Sequence, residues 1–192
     1  MGNPHILFAL ISALAGISCF IPYIHDIFLR KTTPHSYSWL IWAILEVTGV
    51  VAMLGGGAGL GIASLSVGAI LCLFVFLLSF RYGTKNVTTF DAGCLIGALC
   101  IFIVYLLTHN SLLSVILVAL IDIVAFFPTF RKVFAEPYTE TKLTYFLSAF
   151  SSALALGALA TFTFTTSFYL ISLIFTNLTC GVLIMVRRKY TK

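Results

Sequence analysis

Seven apolar stretches, each about twenty residues long, alternate with short polar breaks from one end of the chain to the other. They run over 6–28, 37–54, 60–80, 91–107, 112–134, 143–164 and 168–186. A helix of about 20 residues covers a hydrocarbon core of about 30 Å, so each stretch predicts a membrane-crossing helix. Lipid offers no partner for backbone N–H and C=O groups, which leaves helices and closed barrels as the structures that can cross it. Barrel strands need only about ten residues and alternate apolar with polar positions. These stretches are longer and apolar at nearly every position, so the expected fold is an all-α membrane protein of seven transmembrane helices.

The breaks are of two kinds. Every second one is basic: Arg30 and Lys31, then Arg81 and Lys85, then Arg131, Lys132 and Lys142, and finally the tail Arg187, Arg188, Lys189 and Lys192. Together they hold all 11 Lys and Arg residues; the breaks around 55–61, 109–111 and 163–167 hold none. Lys and Arg of short loops are retained on the cytoplasmic side, so the alternation predicts an outside N-terminus and an inside C-terminus. The outer breaks are short, and Gly55-Gly56-Gly57-Ala58-Gly59 is a turn built almost without side chains. Two inner breaks are longer, and each carries a proline, Pro34 or Pro137.

A shift of 106 residues lays one half of the chain on the other without a gap, pairing Pro22 with Pro128, Phe28 with Phe134, Thr33 with Thr139, Ala43 with Ala149 and Arg81 with Arg187. The shift aligns helix boundaries and both basic ends at once, the mark of an internal duplication. A three-helix unit that starts outside finishes inside, so a direct copy needs one extra span before it. The stretch over 91–107 lies outside both copies and fills that place. Residues 1–86 then form a first three-helix repeat, 87–110 an inverting linker helix, and 111–192 a second three-helix repeat with a basic cytoplasmic tail. Parallel repeats of this 3+1+3 kind are related by an axis along the membrane normal, and their solute sites lie between them near mid-membrane.

Composition narrows the function classes. The chain is 60% hydrophobic and 9% charged, against roughly 25% charged residues in soluble domains, and the seven helices leave no room for a soluble domain. The net charge of +5 is spent in the inner breaks, so nucleic acid is not an expected partner. No basic segment or small-residue cleavage site accompanies the first stretch, which is therefore expected to be retained rather than processed. Cys19, Cys72, Cys94, Cys100 and Cys180 all lie in apolar stretches without metal spacing, as small buried hydrophobes do; neither metal nor cofactor is expected. Asn86-Val87-Thr88 and Asn177-Leu178-Thr179 match glycosylation acceptors but fall in an inner break and inside a span. The short N-terminal tail and the lack of sorting signals point to a bacterial inner (plasma) membrane.

Few residues in the spans can carry chemistry. Glu46 and Asp122 lie well inside the second and fifth stretches. An intramembrane charge costs about 2.5 to 3.5 kcal/mol on insertion scales, so such residues face the interior and mark solute or proton paths. Removal from water favours the protonated acid, the behaviour a proton-coupling group needs. The alternative role is a neutral acid bonded to a neighbouring helix. Their partners under the 106-residue shift are Ser152 and Gly16, so the halves are not chemically equivalent. Asn177, near the middle of the last stretch, is a solute contact or an amide tie between helices. Pro22 and Pro128 break a backbone hydrogen bond late in their helices and bend them at matched depths. Trp39 and Trp42 open the second stretch, where an interfacial aromatic belt is the plainer reading and a gate or pocket wall the alternative. His25, Asp26 and His35 are expected to be solvated near the first inner break, with Asp26 a candidate for a gate. No His-Glu-x-x-His, Gly-x-Ser-x-Gly or paired intramembrane aspartate motif occurs, so an enzyme is not expected.

The first copy reads Ile21-Pro22-Tyr23-Ile24-His25-Asp26-Ile27-Phe28-Leu29-Arg30-Lys31-Thr32 and then Ser38-Trp39-Leu40; the second reads Phe127-Pro128-Thr129-Phe130-Arg131-Lys132-Val133-Phe134 and then Thr144-Tyr145-Phe146. A proline-led helix end, a basic turn and a Ser or Thr opening the next span, present twice, resemble the PQ-loop superfamily. That superfamily includes the SWEET transporters and the lysosomal cystine and cationic amino acid exporters. Tyr23 and Thr129 stand where the family has glutamine. The resemblance implies a SWEET-like carrier that moves a small polar solute (a sugar, an amino acid or a nucleoside-like molecule) by alternating access, with proton coupling as an option. It makes Pro22 and Pro128 hinges, Asn177 a solute ligand, and Trp39, Trp42 and Tyr145 gate or pocket aromatics. The pocket is expected from helices 2, 5, 6 and 7, and an oligomer is left open. The alternative is a non-transporting relative, either a receptor like the KDEL cargo receptor or an accessory membrane protein with a filled centre. A polar cavity reaching Asp122 and Asn177 favours the carrier.

Overall fold

The computed structural model describes residues 4–84 and 88–191, and all regular structure among them is helical. The seven α-helices are α1 (Pro4–Phe28), α2 (Ser36–Gly55), α3 (Ala63–Tyr82), α4 (Thr89–Thr108), α5 (Ser111–Ala135), α6 (Lys142–Ala158) and α7 (Phe164–Tyr190). Short 3-10 turns at Gly59–Ile62 and Pro137–Thr139 precede α3 and α6. Six of these helices are long and apolar enough to cross a membrane. Lys85, the acceptor match at Asn86 and the terminal Lys192 lie outside the described residues.

Helix ends follow local side-chain chemistry. Thr88 with Asp91 and Thr163 with Thr166 form capping boxes at the starts of α4 and α7, each satisfying two backbone donors that a first turn leaves open. Asn110 Oδ1 accepts from Leu113 N at the start of α5. α1 and α5 continue unbroken past Pro22 and Pro128.

The sixth helix differs from expectation. It has 17 residues and stops at Ala158, although the apolar stretch runs on to Phe164. Leu159 turns extended, and Ala160 N donates to Ala58 O at 3.0 Å, fastening the connection to the glycine-rich turn after α2. Gly59 takes a left-handed φ of 57° there, and a side chain on it would also meet Ala160 Cβ. Apolar residues in a connection are indistinguishable, by pattern alone, from more helix.

In the first half α3 packs against both α1 and α2; in the second, α7 packs against both α5 and α6. The halves meet through α1 on α6 and α2 on α5, and α4 lies on α2 and α5. The α1/α6 seam is built from small residues, which lets two backbones approach closely. Ser151 Oγ donates to Ser12 O at 2.7 Å, Ser148 Oγ reaches Cys19 Sγ at 3.2 Å, and a side chain at Gly16 would stand 3.3 Å from Ser151 Oγ. Large apolar side chains such as Ile70, Phe80 and Leu107 point outward, an arrangement suited to lipid and costly in water.

Candidate functional site

Where the halves meet they leave a cavity of about 680 Å3, counted with the open space it adjoins. Every helix except α4 contributes to its wall. Glu46 and Asp122 both line it, as do Asn177, Trp39, Trp42 and Tyr145. The structure thus brings these six expected residues to one place, and α1 and α3 join the expected α2, α5, α6 and α7 in the wall. Pro22 and Pro128 are not in the lining.

The acids are among the unsatisfied groups in the wall. Asp122 is wholly buried, and its Oδ1 has no hydrogen-bond partner. Its Oδ2 takes only a long bond of 3.4 Å from Thr176 Oγ1, a hydroxyl also directed at the carbonyls of Ser172 and Leu173. Glu46 Oε2 is buried without a partner as well. Its carboxyl lies directly on Gly68 of α3, where any side chain would overlap it. No Lys, Arg or His lines the cavity, and neither acid belongs to any ion pair among the described residues. Asn177 Nδ2 donates to Leu173 O at 2.9 Å within its own helix.

Aromatic rings close one part of the wall. Both tryptophans are buried, at 5% and 8% exposure, rather than displayed in an interfacial belt. Trp42 stands edge-on to Trp39, with centroids 5.0 Å apart, and 5.1 Å from Phe126. Trp39 Nε1 donates to Tyr23 Oη at 3.3 Å, whereas Trp42 Nε1 is buried with no acceptor. Phe20 faces Trp39 at 5.7 Å and Phe126 faces Tyr145 at 6.4 Å. These pairs are related by the 106-residue shift.

Polar ties join the two halves at the end that carries the basic breaks. Lys132 Nζ donates to Thr33 O at 2.6 Å, Thr139 O at 3.1 Å and Glu140 Oε1 at 2.8 Å. Thr141 Oγ1 donates to Asp26 Oδ2 at 2.7 Å and shares a 2.8 Å bond with Thr32. Asp26 therefore takes part in a contact between the halves. His35 is not solvated: it is buried, caps α2 through Nδ1, and sets Nε2 3.2 Å from Asp91 at the start of α4. Its burial follows from that pairing, which a local reading of the loop does not reveal. His25 remains exposed beside Asp26.

Sequence reasoning passed over the polar face of α6. Thr144, Ser148, Ser151 and Ser152 line the cavity, at spacings of four, three and one that put them on one side of a helix. That periodicity was available in the sequence, as hydroxyls recurring in an otherwise apolar run. Among the described residues no cluster of three or more His, Cys, Asp or Glu side chains is placed to hold a metal.

The class these features define is a multi-pass helical membrane protein, by helix length and composition, with an acidic internal cavity. No family model, curated protein or solved structure matches the chain.

Proposed function

We propose that the protein is a membrane carrier that moves a small polar solute by alternating access through the cavity between its halves, as a relative of the PQ-loop and SWEET-like transporters. The observation that carries this reading is the position of Glu46, Asp122 and Asn177 in the wall of one cavity bounded by both halves. Buried acids without a protein cation are costly in a membrane interior unless a solute or proton occupies them. A filled, apolar centre would have favoured an accessory subunit; a cavity lined by Glu46, Asp122 and Asn177 supports the carrier instead.

Helix contacts support the duplicated 3+1+3 plan. Exchanging α1 with α5, α2 with α6 and α3 with α7 maps the packing of one half onto the other and converts the α1/α6 seam into the α5/α2 seam. In the proposed orientation, with the N-terminus outside and the C-terminus inside a bacterial inner membrane, the Lys132 and Thr141 ties close the cytoplasmic end. Pro22 and Pro128 let the ends of α1 and α5 move when those ties release.

Uptake of labelled solutes into proteoliposomes, with and without a pH gradient, tests transport. Accumulation above protein-free vesicles is expected, and its absence across sugars, amines, amino acids and nucleosides sinks the carrier. Asp122→Asn with Glu46→Gln should abolish any response to the pH gradient; an unchanged response excludes proton coupling through these groups. Single cysteines at Thr161 and Tyr138 should react with impermeant reagents from opposite sides of the membrane.

A further inference from the structure

We propose that the cavity takes a small organic cation, an amine or quaternary ammonium without a carboxylate, held between the carboxyls of Glu46 and Asp122 and the rings of Trp39, Trp42 and Phe126. The inference rests on the carrier reading for its physiological use and names the solute class of that same site.

Charge selects first. Two carboxyl groups and no Lys, Arg or His face the space. A phosphate, a sulfate or a dicarboxylate would find no cation in the wall to replace its water. An amino acid would place its own carboxylate under the same penalty. The ammonium group of an amine instead supplies what the wall lacks. Asp122 Oδ1 and Glu46 Oε2 are buried acceptors with no donor, and Asp122 is wholly buried at the cavity wall.

The rings select next. Trp42 sits between Trp39 and Phe126 with centroids 5.0 and 5.1 Å away. Aromatic faces attract organic cations, and tryptophan does so best, the more so away from water. A sugar stacks on such rings too, but it draws nothing from the charge of the site. Two donors complete the wall, since Trp42 Nε1 and Thr144 Oγ1 are buried without acceptors. They fit a neutral oxygen on the same molecule, as in an amino alcohol.

The test uses the full chain, purified in detergent at neutral pH, with choline, its neutral isostere 3,3-dimethylbutan-1-ol, glycine betaine and glucose as probes. Calorimetric titration and thermal unfolding read binding. Choline should bind at least about tenfold more tightly than the neutral alcohol, and glycine betaine more weakly than choline. In Glu46→Gln with Asp122→Asn that preference should vanish; Trp42→Leu should weaken choline at least about fivefold. The inference is overturned if the alcohol or glucose matches choline, if choline does not bind, or if the acid variant keeps the preference. Should the double variant not fold, the probe series on the unmodified protein decides alone. Choline binding without uptake into proteoliposomes would overturn the carrier and leave this inference standing; uptake of neutral sugars alone would do the reverse.

Discussion

The hydroxyl of Tyr145 donates to Glu140 Oε2 across 3.0 Å, so a ring in the cavity wall is tied to the carboxylate that holds Lys132. Glu140 is 3% exposed, and its two oxygens are divided between a ring of the cavity wall and the lysine of the contact joining the halves. Removing the cation leaves a buried carboxylate unpaired, a change that costs about 3 to 5 kcal/mol in buried pairs. Lys132→Met should therefore lower unfolding stability by about 3 kcal/mol. Glu140→Gln, which preserves an acceptor for Tyr145, should cost less. Reversible unfolding in mixed micelles measures both, and the opposite order would break the assignment.

Gly68 is a second point where packing and chemistry coincide. A methyl group there overlaps the Glu46 carboxyl, the far end of a long side chain beside a cavity, so the cost sits at the low end of the overpacking range, about 1 kcal/mol. Gly68→Ala should destabilise by that amount, and Glu46→Ala in the same chain should recover most of it. Additive losses in the double variant would show that the two residues do not meet.

Gly49 makes a similar contact with another neighbour. Its Cα faces the ring of Tyr169, and an added Cβ would stand 2.7 Å from two ring carbons. Gly49→Ala is expected to lower stability by about 1 to 3 kcal/mol, with Tyr169→Leu as the relieving change. Thermal unfolding of the two single variants and the pair checks it.

Pro22 and Pro128 each lie within a long helix and lack the N–H that would bond one turn back. Alanine at either site supplies that donor and, in the proposed hinge role, stiffens the helix at that point. Pro128→Ala should slow solute exchange several-fold while equilibrium binding stays within about twofold. A parallel loss of binding would count against the hinge.

Along the α1/α6 seam, Ser151 offers a graded test. Ser151→Ala removes one bond to Ser12 O and should cost about 0.5 to 1.5 kcal/mol. Ser151→Leu must also push α1 away and should cost more, about 1 to 3 kcal/mol beyond the alanine change. Equal effects would mean that the helices are not held at close approach.

Helix positions were readable because apolar runs of about twenty residues leave few other options, and Glu46 and Asp122 stood out as acids in apolar company. Apart from the hydroxylated face of α6, the side each helix turns inward was not readable. Lipid-facing and core-facing surfaces are both apolar, so no amphipathic stripe distinguishes them. Trp39 and Trp42 thus passed for a belt although they are buried. His35 and Asp91 are separated by 55 intervening residues, and only the folded chain sets their side chains 3.2 Å apart. The early end of α6 escaped notice because Leu159 and Ala160 are as apolar as the helix before them.

Under the 106-residue shift the two seams between the halves carry different residues at corresponding positions. Gly16 and Ser152 occupy on α1 and α6 the places that Asp122 and Glu46 occupy on α5 and α2. A site made of two identical copies would admit a solute in two poses of equal energy, related by rotation about the axis between the copies. Here one flank is acidic and the other is only small and hydroxylated, so that degeneracy is lifted. In the proposed carrier, a molecule with one charged end lies one way round across the two seams, with its charge toward α2 and α5.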